Sequence, residues 1–178
     1  FEGIVVIDEA YADFCDDNCL EMIHEFPNVI VTRTLSKSYS LAGIRAGLAF
    51  AHESLIYGMH KVRDSYNVNG LTQAAAAAAL LDRKAFESNT TAVKSTRART
   101  EIALKEMGFQ VCPSQANFFF CIPPMEAEAF TLAVREDGFL IRYFSTPGID
   151  QYVRISIGSD AEMDEFLEVT KRILEAQS

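Results

Sequence analysis

Lys37 follows a β-branched run and precedes a small-residue turn and a single arginine. The order is Val29-Ile30-Val31-Thr32-Arg33-Thr34-Leu35-Ser36-Lys37-Ser38, then Leu41-Ala42-Gly43-Ile44-Arg45. An amine in that setting can form an imine with an aldehyde, and hydroxyls beside a guanidinium can hold a phosphate. Pyridoxal phosphate carries both groups. Its ring nitrogen needs a carboxylate partner, and the upstream run Ile4-Val5-Val6-Ile7-Asp8-Glu9-Ala10-Tyr11 ends a strand-like segment in one.

Each of these residues also has a plainer reading. An arbitrary lysine is a solvated surface cation. Lys37 is set apart by Ser36, Ser38, Gly43 and Arg45 around it, and by Leu35 and Leu41, which could strip its solvation and favour the neutral, nucleophilic form. An aspartate closing a Val/Ile run is often a turn former, but beside a pyridine nitrogen Asp8 would keep that nitrogen protonated. Tyr11 is either a packed ring with its phenol at the surface or a hydroxyl donor to the cofactor ring. Arg45 precedes the apolar run Ala46 to Ala51 and should be paired, with a carboxylate or with a phosphate to which Thr34 and Ser36 add hydroxyls.

Arg142 and Arg154 are lone charges inside the strand-like runs Gly138 to Phe144 and Tyr152 to Gly158. They are either exposed edge positions or, if the strands are neighbours, two planar forks converging on a carboxylate or phosphate.

Composition narrows the field. A net charge of −9 excludes a basic nucleic-acid surface, so small molecules are the expected partners. The longest apolar stretch, Ala74 to Leu81, is too short for a membrane span. The four cysteines form no disulfide framework and fit free thiols in a cytoplasmic protein. Cys15, Cys19 and His24 match no zinc spacing, so no metal is expected. Serine-hydrolase, Walker A and dinucleotide motifs are missing. Phe1 is not an initiator methionine and a strand follows at once, so the chain reads as a piece of a longer protein lacking an N-terminal portion.

Residues 4 to 8 read as a strand buried on both faces, 16 to 26 as a short helix capped by Asp16 or Asp17, and 29 to 34 and 45 to 51 as further strands. That rhythm indicates an α/β layer with a mostly parallel sheet, whose ligands sit at the carboxyl ends of the strands. Helices are expected over 53 to 63, 71 to 83 with its six alanines, and 85 to 107, closing at Gly108. Strands over 109 to 112, 117 to 122, 139 to 144 and 152 to 157, with helices near 126 to 136 and 160 to 176, form a smaller α+β unit. The expected division is 1–88 and 89–178.

Taken together, Val5-Val6-Ile7-Asp8-Glu9-Ala10-Tyr11, Thr34-Leu35-Ser36-Lys37-Ser38 and Leu41-Ala42-Gly43-Ile44-Arg45-Ala46-Gly47 resemble the class I/II aminotransferases of fold type I. Tyr66-Asn67-Val68-Asn69 and Tyr152-Val153-Arg154-Ile155-Ser156-Ile157-Gly158 are similar to the branch that works on a phosphorylated imidazole ketone in histidine biosynthesis. The resemblance covers essentially the whole chain. It implies the C-terminal part of a large cofactor-binding domain followed by the small domain. It implies pyridoxal phosphate linked to Lys37, with Asp8 on the ring nitrogen, Tyr11 on the ring hydroxyl, and Ser36 and Arg45, with Thr34, on the phosphate. It implies Arg154 on the substrate carboxylate or phosphate with Arg142 assisting, amino and keto acid substrates, and a homodimer. The family's N-terminal half supplies a glycine-containing phosphate loop, a ring-stacking aromatic and further site residues, none of which is in this chain. One departure is Ser38-Tyr39-Ser40 where members more often carry Ala-Phe-Gly, a change expected to alter the turn and not the chemistry. An aromatic amino-acid aminotransferase, a decarboxylase of a phosphorylated amino acid, and a non-catalytic folded fragment are the other readings open to the sequence.

Overall fold

The computed structural model describes residues 1 to 176. The chain packs as two units, Phe1–Thr90 and a second that begins at Thr91. In the first, β1 (Val5–Asp8), β2 (Val29–Thr34) and β3 (Gly47–Ala51) form a sheet in the order β1-β2-β3. β1 and β2 run parallel, as the Val/Ile runs predict, and β3 returns antiparallel after the loop that carries Lys37 and Arg45.

Alternation sorts the sheet into two faces. Val29, Val31 and Leu35 are buried with Phe14 on one. On the other, Ile4 and Val6 are 59% and 60% exposed. The expectation of a strand covered on both faces therefore fails for β1. It is an edge strand, and none of the described residues buries Val6.

The helix expected over 16 to 26 is also shorter. A 3-10 turn spans Ala12–Phe14, and only Met22–Glu25 (α1) is α-helical, with no cap from Asp16 or Asp17. The Cys19 amide donates to the Glu9 carboxylate, and the Leu20 amide donates to the Asn18 side chain at 3.0 Å. The two bonds, one local and one reaching back ten residues, give the backbone an alternative to the helix.

α2 (Glu53–Val62) and α3 (Gly70–Leu81) follow β3. Asn69 caps α3, its Oδ1 accepting from the Thr72 amide at 2.9 Å. α4 (Arg83–Glu106) carries the division between the units within it and is followed by Gly108, whose φ of +90° suits glycine.

Ser40 is a different case. Its φ is +56°, a left-handed conformation that a side chain resists. Ser40→Gly should relieve that strain and raise stability by about 0.5–1 kcal/mol, a gain of about 2 °C in thermal melting. An unchanged or lower melting point would show that the serine is unstrained.

The second unit holds β4 (Gln110–Val111), β5 (Phe118–Ile122), α5 (Ala127–Glu136), β6 (Arg142–Tyr143), β7 (Val153–Ser156) and α6 (Asp160–Glu175). Its sheet is antiparallel throughout, in the order β4-β5-β7-β6. β6 is shorter than the apolar run Phe139 to Phe144 predicts, because that run starts by closing α5. Gly138 and Phe139 donate their amides to Arg135 and Val134 at 3.0 Å each.

Phe119, Cys121, Val153 and Ile155 alternate into a core with Leu104, Phe130, Met163 and Phe166. Ser159 and Glu162 form a reciprocal capping box at the start of α6, and its Ser159 bonds hold the Glu162 carboxyl below the usual range. Arg99 and Thr96 of α4 both donate to Asp160 Oδ1, at 2.9 and 2.7 Å, which ties α4 to the first turn of α6.

Burial pushes the Cys121 thiol up to about 12 from 9.0. The folded state thus favours the protonated thiol. That stabilisation is complete below pH 9 and is lost as pH rises from 9 towards 12. Alkylation of the native protein at pH 8 should mark the half-buried Cys15, Cys19 and Cys112 and spare Cys121. Equal labelling of all four would contradict this.

Candidate active site

Register brings the chemistry-bearing residues of the first unit to one end of its sheet. Asp8 lies opposite Thr32 at the end of β1, and Thr34 at the end of β2 lies opposite Gly47 at the start of β3. Lys37 is just beyond β2 and Arg45 just before β3, so Asp8, Thr34, Ser36, Lys37 and Arg45 share this end.

The Lys37 segment is a closed loop. The Leu41 amide donates to Leu35 O at 3.0 Å, and the Ser40 amide donates to Lys37 O at 3.0 Å. Lys37 Nζ stands 5.5 Å from the centre of the Tyr11 ring. The Thr34 hydroxyl donates to Ser36 Oγ at 2.9 Å and accepts the Ser36 amide at 3.1 Å, which places both hydroxyls together. Asp8 Oδ1 accepts the Ala10 amide at 3.0 Å, and Oδ2 keeps its acceptor capacity. Asp8 and Tyr11 also line an open depression of about 300 Å³ with Ile7, Cys15 and Cys19.

Arg45 adopts φ +56° and donates to Ala42 O at 2.9 Å, leaving most of its five N–H groups uncommitted. The buried Thr72 hydroxyl on α3 donates to Ile44 O at 3.1 Å and anchors the backbone next to that arginine.

One expectation is not met. Lys37 is exposed, not desolvated. Leu35, the neighbour expected to cover it, is 2% exposed and belongs to the core of the opposite sheet face.

In the second unit, Arg142 and Arg154 are register partners across β6 and β7. Like charges placed directly opposite are destabilising. Among the described residues neither guanidinium has a carboxylate partner. Each lies over a ring, Arg142 above Phe144 at 5.6 Å and Arg154 above Phe118 at 5.5 Å. Phe120, stacked on Tyr152 at 4.4 Å, completes the floor of this face. Two forks over an aromatic floor, with no internal counter-charge, are suited to a carboxylate or a phosphate.

The family model for aminotransferase class I and II matches residues 1–169. This chain belongs to that family. It is 50% identical over 167 residues to a histidinol-phosphate aminotransferase of Synechocystis, covering 93% of the chain and 48% of the relative. It is 47% identical over 173 residues to the Microcystis aeruginosa protein of the same name, covering 97% and 50%. The solved histidinol-phosphate aminotransferase of Sinorhizobium meliloti, in complex with pyridoxal-5'-phosphate, superposes with a TM-score of 0.88 at 27% identity, over 98% of this chain and 50% of that one. The chain spans about half the length of the relatives it matches, and its mixed α/β architecture is that of fold type I.

Sequence reasoning overlooked one cluster. Glu9 and Arg33 fall on the covered face of the sheet, where Arg33 Nε and Nη2 donate to Glu9 Oε2 at 2.9 and 2.8 Å. Arg33 Nη1 reaches Asp13 Oδ1 at 3.5 Å, and the Ser38 hydroxyl donates to Asp13 Oδ2. The signal was available. Arg33 is a charge within a Val/Thr strand, and the requirement for a partner applied to Arg45 applied equally to it.

Proposed function

We propose that the whole protein containing this chain is a histidinol-phosphate aminotransferase that uses pyridoxal phosphate to move an amino group between glutamate and a phosphorylated imidazole ketone. The observation that carries the cofactor assignment is the approach of Lys37 Nζ to the Tyr11 ring at the sheet end that also holds Asp8, Thr34, Ser36 and Arg45. The donor set fits the cofactor. Paired hydroxyls and a largely uncommitted guanidinium suit a phosphate, and a carboxylate suits a pyridinium. The substrate assignment is supported by the names of relatives at 47% and 50% identity.

In this reading Lys37 Nζ would hold the cofactor covalently, and its amine would be free for proton transfer once substrate is bound. Thr34, Ser36 and Arg45 bind the phosphate and fix its position. Asp8 keeps the ring nitrogen protonated, and the Tyr11 hydroxyl donates to the ring oxygen. The chemistry supplied by bound pyridoxal phosphate is an electron sink for the pair left at the substrate Cα. The freed Lys37 amine would remove the proton from that Cα as a general base and, as the resulting acid, would deliver it to the cofactor carbon instead of back to Cα. Arg154 takes the carboxylate of glutamate or the phosphate of the alternate substrate, and Arg142 assists.

Residues 1–88 are assigned to the cofactor-binding domain and 89–178 to the small domain. A homodimer acting in the cytoplasm is part of the same reading. The homodimer is supported by the exposed apolar side chains Tyr57, Val62, Tyr66 and Leu71, a surface suited to burial.

A substrate panel tests the proposal. The whole protein should form glutamate from histidinol phosphate and 2-oxoglutarate. Carbon dioxide release from a phosphorylated amino acid, or a preference for aromatic amino acids, would replace it.

A further inference from the structure

We propose that Asp13 and Ser38 are positioning residues that aim the Lys37 amine, an inference that rests on the cofactor reading above. Glu9, Arg33, Asp13 and Ser38 form a continuous polar chain beneath the site. Three of them adjoin a site residue in sequence, Glu9 beside Asp8, Arg33 beside Thr34 and Ser38 beside Lys37, and Asp13 lies two residues past Tyr11. Strand alternation puts Asp8 and Thr34 on the open face of the sheet and Glu9 and Arg33 on the covered one. The Glu9–Arg33 contact therefore constrains Asp8 and Thr34 on the opposite side.

Ser38 is the last link. It is 2% exposed, whereas Lys37 beside it is exposed. Its hydroxyl donates to Asp13, and its carbonyl oxygen accepts from Asn89 Nδ2 at 3.5 Å. Tyr39 next to it stacks on Phe86 at 4.8 Å. Among the described residues nothing comparable holds the lysine side chain itself, whose Nζ lies over the Tyr11 ring. The direction of the amine is thus set by the backbone on its C-terminal side. Asp13 joins the two partners of that contact, because it follows Tyr11 in the 3-10 turn and receives Ser38. Losing the Ser38 hydroxyl removes the bond without changing the shape of the buried side chain by more than one atom.

The test uses the whole protein freed of cofactor. Pyridoxal phosphate is added, borohydride is applied at timed intervals, and attachment at Lys37 is read by peptide mass, with thermal melting as a check of folding. Ser38→Ala should slow attachment about tenfold and lower kcat to a similar degree, leaving the KM for glutamate within about twofold because the substrate arginines are untouched. Asp13→Ala should slow it at least as much, and the double variant should be no slower than Asp13→Ala alone, as expected for residues acting through one bond.

Parental rates in folded Ser38→Ala, or additive effects in the double variant, would overturn the proposal. Should Ser38→Ala fail to fold, Asp13→Ala alone decides by the same rate and the same split between kcat and KM. Failure of the parent protein to attach the cofactor at Lys37 would overturn the cofactor reading itself, and this inference with it.

Discussion

Lys37→Ala in the whole protein is expected to reduce transamination by at least about 10³-fold, within the range for losing a general acid–base group. The loss should appear in kcat, because the amine acts on the proton at the substrate Cα, and binding of substrate is assigned to other residues. Borohydride should trap no cofactor at position 37 in this variant. An added small primary amine should restore part of the proton transfer while leaving the covalent link absent. Turnover within about tenfold of the parent would refute the role of Lys37. The arrangement that motivates the expectation is the Nζ at 5.5 Å from the Tyr11 ring, in a loop closed by the Leu41 to Leu35 hydrogen bond.

Arg154→Ala should have the opposite kinetic signature. Its guanidinium has no carboxylate partner among the described residues, and it faces Arg142 directly across β6 and β7. Removing a charge-assisted, two-pronged contact to the substrate should raise the KM for glutamate by about 10²-fold. Attachment of the cofactor at Lys37 should be unaffected. Arg154→Lys should recover little, because an ammonium lacks the planar fork. A rise in KM of less than about twofold, or an equal loss of cofactor binding, would remove Arg154 from substrate recognition.

The placement of the candidate site's residues at strand ends was legible because they sit where local patterns change. Asp8 closes a Val/Ile run, Lys37 follows another, and Arg45 precedes a third, so each marks a strand end. Long-range features were less accessible. The reversal of β3 depends on a loop whose turns involve Ser40 and Arg45 at positive φ, which residue types alone do not announce. The truncated α1 reflects a bond from Cys19 to Glu9, ten residues away in sequence. The exposure of Lys37 could not be read from its neighbours, because Leu35 lies on the other side of the strand. The pairing of Arg142 with Arg154 was conditional on strand adjacency, and the register supplies it.

That pairing has a practical outcome for anyone handling the protein. Two cations held face to face by backbone hydrogen bonds repel each other whenever nothing sits between them, and dissolved multivalent anions relieve the repulsion. Phosphate or sulfate should therefore protect this region against heat and, on the substrate role proposed for the pair, should compete in kinetic assays and inflate apparent Michaelis constants. Zwitterionic buffers of low ionic strength leave the arginines free for the molecules under study.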